Sequence, residues 1–176
     1  MDSIAEDKFS NLSIEVASLP RYEEAGLTSL APNYLLKRNI NTLISLLVFS
    51  AILAVVYFFL SDFPFYVFLG GGVFLVIIGW SFFTNFQLMK RNGYSLRELD
   101  IIYKRGFLFE KTTVVPFDRV QHVSVERSLL DKFLNLSTLK VFTAGGSGSD
   151  VNIPGLKPGI ATSLKEEISE RIARHA

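Results

Sequence analysis

Few side chains in this sequence have the types and spacing that chemistry needs. The two histidines, His122 and His175, stand a domain's length apart, and there is no cysteine. A metal site would have to be built from carboxylates in place of the usual imidazole and thiolate ligands. None of the Asp and Glu residues falls at a ligand-like spacing, so neither a metal nor a cofactor is expected. Ser147 lies between two glycines and Ser149 follows one in Gly145–Asp150, but a serine nucleophile needs a base held beside it. The run also lacks the Lys-Ser/Thr pair and following helix of a phosphate-binding loop, so it reads as a hairpin tip. Asp118 and Glu126 have no spacing that defines an acid/base pair. Neither a Gly-x-Ser-x-Gly elbow nor a His-Glu-x-x-His pair is present. The expectation is a protein that is not an enzyme.

What remains is charge. Lys90, Arg91, Arg97, Lys104 and Arg105 follow closely on a long apolar block. Bases beside an anionic membrane surface contribute about 1 kcal/mol each, which makes these five the candidate membrane or lipid contacts. The alternative is that they only set topology and remain solvated. Pro116, Arg119, Gln121 and His122 form a second distinctive group within an otherwise apolar strand region. Their expected role is structural, satisfying backbone or edge groups, with Gln121 and Arg119 holding a neighbouring loop; a binding role is the alternative.

The elements that carry these residues follow from hydropathy and charge. Of the 176 residues 49% are hydrophobic, 16 are Phe, and mean hydropathy is +0.32, although net charge is only +1. Residues 1–36 hold six acids against two bases, residues 39–89 hold the single charge Asp62, and residues 90–176 hold fourteen bases against ten acids. Three regions are therefore expected: 1–36, acidic and mostly disordered; 37–90, a two-helix transmembrane hairpin with spans at about 41–60 and 65–86; and 91–176, a polar domain. An uncharged stretch of about 20 residues matches a hydrocarbon core of about 30 Å. The Ser61-Asp62-Phe63-Pro64 turn divides the two spans. Lys37 and Arg38 before the first span and Lys90 and Arg91 after the second place both termini in the cytoplasm, at the cell (inner) membrane. Trp80, Phe82, Phe83 and Phe86 sit where interfacial rings are expected. Small residues, with Gly71, Leu75 and Gly79 on one helix facing Ser50 and Ala54 on the other, are expected to close the hairpin. A pore is disfavoured because the spans contain no Asp, Glu, Lys, Arg or His.

Beyond Gly93 the pattern turns to short runs rich in β-branched residues, bounded by Gly and Pro. Residues 100–106, 111–116, 120–126, 139–144 and 151–153 read as strands, with a hairpin turn over 104–108 centred on Gly106 and Ser128 capping a short helix. Gly159–Arg174 reads as an amphipathic helix whose stripe is Ile160, Leu164, Ile168 and Ile172 with Ala161. The order of these elements, with Pro116-Phe117-Asp118-Arg119-Val120-Gln121-His122-Val123 and Leu136-Ser137-Thr138-Leu139-Lys140-Val141 followed by a Gly-rich turn and a closing helix, resembles the bacterial pleckstrin-homology (PH) domain family. With the two preceding spans it is similar to the YdbS-type membrane members. The resemblance implies an α+β domain: a PH-like antiparallel β-barrel or sandwich plugged by the C-terminal helix, a fold used for binding and assembly. It departs from the pattern of a basic lipid site in the Ala144–Asp150 turn, which is rich in Gly and Ser and low in charge. The function expected is a non-enzymatic membrane-anchored adaptor or scaffold. Its partners would be membrane lipids and another PH-domain membrane protein or a second copy, with no nucleic acid. The alternative is lipid-headgroup sensing or handling, and envelope stress resistance is compatible with either.

Overall fold

The computed structural model describes residues 26–59, 64–145 and 150–175. The two apolar blocks form α1 (Asn33–Phe59) and α2 (Pro64–Arg91), with mean hydropathies of 2.5 and 1.6 over their most apolar windows. At 1.5 Å per residue each is about 40 Å long, so each exceeds a hydrocarbon core by about 10 Å. α1 buries none of its residues, and Leu47, Phe58 and Val76 are at least 70% exposed. Such a surface is suited to lipid rather than to a protein core or water. The hairpin closes differently from the expected small-residue stripe. Phe49 stacks on Phe74 at 3.7 Å between ring centroids, Gly71 meets Leu53 alone, and a Cβ at Gly79 would find open space. Ser50, Gly71 and Leu75 of the expected faces line, together with Phe74, a cavity of about 480 Å³ that remains between the helices.

The chain then builds two antiparallel sheets. β2 (Gly93–Leu96), β3 (Asp100–Arg105) and β4 (Lys111–Pro116) pair in sequence order, and β1 (Thr28–Ser29) adds to the free edge of β2. After a short 3₁₀ turn at Phe117–Arg119, β5 (Val120–Glu126), β6 (Ser137–Thr143) and β7 (Val151–Leu156) form the second sheet. The short helix α3 (Leu129–Phe133) bridges β5 and β6, and α4 (Pro158–His175) closes the domain. This is the helix-closed antiparallel pair of sheets that the resemblance implies. Its core joins Ile101, Tyr103 and Val115 of the first sheet to Leu139, Val141 and Ile153 of the second, with Phe117 between them and Ala161, Leu164 and Ile168 of α4 on top. Ile160, expected in the helix stripe, stays 42% exposed because the stripe is led by Ala161 instead.

Three expectations about boundaries change. The first helix begins at Asn33 rather than Asn41, and the second extends to Arg91, beyond residue 86. The lead segment 1–36 is not all disordered. Residues 28–36 supply a strand and the first turn of α1, and Leu30 is buried in the domain core. Residues 1–25 and the Ser147 and Ser149 turn lie outside the described residues. The physical reason for the change is that β2 exposes an edge of unpaired N–H and C=O groups, which a strand from before the hairpin satisfies.

Candidate functional site

Where the two helices meet the domain there is almost no linker. α2 ends at Arg91 and β2 begins at Gly93, so only Asn92 lies between them. Asn92 is buried, and its Oδ1 accepts from the Gly106 N–H at 2.9 Å. That bond holds the β3–β4 hairpin tip against the end of α2. Gly106 has φ +116°, a conformation that a side chain resists. The tip that follows, Phe107-Leu108-Phe109, is apolar. Phe107 packs edge-on to Phe83 of α2 at 5.9 Å, while Leu108 and Phe109 are 64% and 91% exposed.

The tip is ringed by charge. Glu110 pairs with Arg91 at 2.9 Å and with Lys104 at 3.1 Å, and the hydrogen bonds from Lys104 and then Arg91 hold its carboxyl below the usual carboxylate range. The Arg91 guanidinium lies over the Phe107 ring and the Lys90 ammonium over Phe86. Of the five candidate bases, four, Lys90, Arg91, Lys104 and Arg105, thus gather at the domain-side end of the hairpin, since β3 runs back toward the β2 start with Gly93 opposite Lys104. Arg97 does not join them. It sits at the opposite end of β2, bound through two nitrogens to Asp100 at 2.7 and 2.6 Å, where Arg171 of α4 reaches its carbonyl.

The other helix is fastened independently. Lys37 of α1 pairs with Asp131 of α3 at 2.7 Å, and the Asn33 amide donates to the Leu134 carbonyl at 3.0 Å. Asp131 also completes a capping box, accepting from the Ser128 N–H and hydroxyl. Burial by itself would raise the Asp131 pKa, but Lys37 and Ser128 outweigh it and hold the carboxyl below its ordinary value. Tyr34 packs on Gly155, whose φ of +71° and lack of a side chain admit the ring. One turn further along, Arg38 Nε donates to Asn85 Oδ1 at 2.8 Å, joining α1 to α2 through an asparagine that is only 4% exposed.

The second group of expected residues is spread over one corner of the domain. Pro116 ends β4 and Arg119 ends the 3₁₀ turn, both exposed, with the Arg119 carbonyl accepting from the Ala144 N–H. Gln121 is the extra residue of a bulge, because Val120 pairs with Thr143 and His122 with Phe142. The bulge leaves Gln121 and His122 both on the surface, and the His122 ring stacks on Phe142 at 4.2 Å. Among the described residues neither the Gln121 nor the Arg119 side chain makes a hydrogen bond. Among the described residues no three His, Asp or Glu side chains gather as a metal ion requires.

Sequence reasoning did not single out the Phe107–Phe109 tip, the Lys37–Asp131 pair or the Arg38–Asn85 link. Three consecutive apolar residues in a hairpin turn were a readable signal for the first, because turns are otherwise polar. The other two join residues far apart in the chain and carry no local signal.

The model of the family described as bacterial PH domain matches residues 42–172, more than half of the chain. Transmembrane protein YdbS of Bacillus subtilis (strain 168) is 37% identical over 81 residues, a stretch that covers 46% of this chain and 48% of YdbS, so the match spans about half the length of that relative. No solved structure matches. The family match begins within α1, runs through α2 and both sheets and on into α4, and the chain belongs to the bacterial PH domain family.

Proposed function

We propose that this membrane PH-domain protein is a non-enzymatic adaptor, anchored in the cell (inner) membrane with both termini in the cytoplasm, whose domain binds a second protein. The observation that carries this reading is a cleft of about 870 Å³ along α4. Its floor is Leu96, Leu164 and the exposed Ile160, and its rim carries Lys157, Glu167 and Arg171. An apolar floor with a charged rim is the usual anatomy of a protein-binding patch. The partner is a related PH-domain membrane protein or a second copy of this chain. Crosslinking mass spectrometry in native membranes, repeated with Ile160→Glu, tests it: crosslinks from α4 to such a partner are expected, and the variant should lose them while keeping its thermal transition. A strictly monomeric protein without α4 crosslinks would overturn the proposal.

The orientation is supported by Lys37, Arg38, Lys90 and Arg91, all at one end of the hairpin. Because the sequence has no cysteine, single introduced thiols report on it cleanly. Ser61→Cys should react with a membrane-impermeant maleimide on intact cells, and Ser163→Cys only after lysis.

A second reading, contact with lipid, is favoured by the Phe107–Phe109 tip beside Phe83. An apolar tip flanked by bases suits the membrane interface, where rings enter the headgroup layer and cations meet anionic lipid. The two readings use different residues of the domain and are compatible.

A further inference from the structure

The two helices do not seal against each other on the side covered by the domain. Between them, under Tyr34 and Pro154, is a cleft of about 500 Å³ that opens along the helices. Its polarity changes with depth. Lys37, Arg38 and Asn41 line the end nearest the domain, and Phe74, Ile77 and Ile78 line the end within the apolar span. Ser45 and Ser81 lie between, their hydroxyls already donating to the Asn41 and Ile77 carbonyls of their own helices.

The charges in this cleft do not cancel. Lys37 is neutralised by Asp131 at 2.7 Å. Arg38 has no carboxylate within ion-pair distance among the described residues, and its one hydrogen bond goes from Nε to the neutral Asn85. Asn85 is itself fixed, its amide donating to Asn39 Oδ1 and Thr42 Oγ1, both at 3.2 Å. A guanidinium anchored through Nε keeps four N–H donors on its terminal nitrogens, and the buried asparagine prevents it from swinging out to water as a lone interfacial arginine would. A fixed, half-buried cation above an apolar channel matches the chemistry of one molecule class: a phosphodiester joined to acyl chains. A basic pocket between transmembrane helices at the headgroup level is also the arrangement that selects anionic lipid.

We propose that the α1–α2 cleft binds one anionic phospholipid, with its headgroup phosphate on Arg38 and an acyl chain along Phe74 and Ile77. Among the described residues no carboxylate lines the cleft, and none of them there would pair with the ammonium of a zwitterionic headgroup. The site is independent of the adaptor cleft on α4 and of the Phe107–Phe109 tip, and its failure leaves both readings standing.

Native mass spectrometry of the full chain in detergent, with phosphatidylglycerol or phosphatidylcholine added, reads the bound lipid directly. A single phosphatidylglycerol should be retained at lipid concentrations where phosphatidylcholine is not. Arg38→Gln should weaken retention about tenfold or more, as loss of one charge-assisted contact implies. Ser81→Leu, which fills the middle of the cleft without touching the charge cluster, should weaken it as well and decides the matter if Arg38→Gln does not fold. Lys104→Gln at the hairpin tip should leave retention unchanged. Equal retention of both lipids, or undiminished binding by both Arg38→Gln and Ser81→Leu, would overturn the proposal. So would displacement of the lipid by millimolar inorganic phosphate, which would make this a site for a soluble anion.

Discussion

Asp131 is the residue on which the seating of α1 most depends. It is almost fully buried, and it serves both Lys37 and the N-terminal cap of α3. Removing one partner of a buried pair typically costs about 3–5 kcal/mol, and an 18% exposed Lys37 side chain places Asp131→Ala at the lower end of that range. The carboxyl is held below its ordinary pKa, so its contribution is complete above the unfolded value of about 3.9 and fades as pH falls through the lower folded value. Thermal melts of the full chain in detergent at neutral pH and below about pH 4 should therefore show a wild-type transition that drops toward that of Asp131→Ala, with the variant itself less sensitive to acid. Ser137 offers the opposite case. Its hydroxyl is fully buried without a hydrogen-bond partner among the described residues, and an unpaired buried hydroxyl costs about 1–3 kcal/mol. Ser137→Ala is expected to melt at the same temperature as the wild type or higher.

The β3–β4 hairpin joins local turn chemistry to position. Gly106 permits the turn, Asn92 ties it to the end of α2, and the tie carries Phe107-Leu108-Phe109 to the level of Phe83. If that level is the membrane interface, Phe109 lies among lipid rather than in water. The chain has one tryptophan, Trp80, so Phe109→Trp in a Trp80→Phe background gives a single fluorescent reporter. In nanodiscs its emission should be quenched by brominated acyl chains and resist aqueous iodide; the reverse pattern would place the tip in solvent. The seam between α1 and β7 is a second element-level joint. Gly155→Ala would drive a methyl to 2.6 Å from the Tyr34 ring at a positive φ, and steric and backbone terms of this kind together cost several kcal/mol, about 2–4. Its thermal transition should fall well below that of Gly159→Ala, where a Cβ meets nothing within 4 Å.

Across the whole molecule, hairpin and domain behave as one body because both helices enter the domain through short, bonded connections and not through a tether. β1 and Leu30 lie before the hairpin in sequence yet belong to the sheet and core after it. The domain core also sets an upper pH limit. Burial raises the Tyr94 phenol and pushes Tyr103 up to about 12, the latter assisted by Tyr34. A raised phenol contributes stability that is complete below the unfolded value of about 10 and is lost as pH rises through the folded one. Phenolate absorbance at 295 nm should accordingly show Tyr103 ionising late, together with loss of tertiary structure, and Tyr103→Phe should unfold at higher pH than the wild type.

The sequence alone determined the two helices, five of the six strands from Gly93 onward, the Ser128 cap and the closing helix, because hydropathy, alternation and turn residues are local properties that neighbours in the chain fix together; the four-residue β2 was too short to read. Only tertiary structure decided what depends on residues brought from afar. It separated Arg97 from the other four bases, because β2 carries it to the far end of the domain while β3 returns Lys104 and Arg105. It put Gln121 in a bulge, where one extra residue turns both it and His122 outward. It gave Lys37, a topology residue by sequence, a carboxylate 94 positions away, and left Arg38 beside it tied only to a neutral asparagine. Charge can be counted along a chain, but whether it is cancelled depends on the fold.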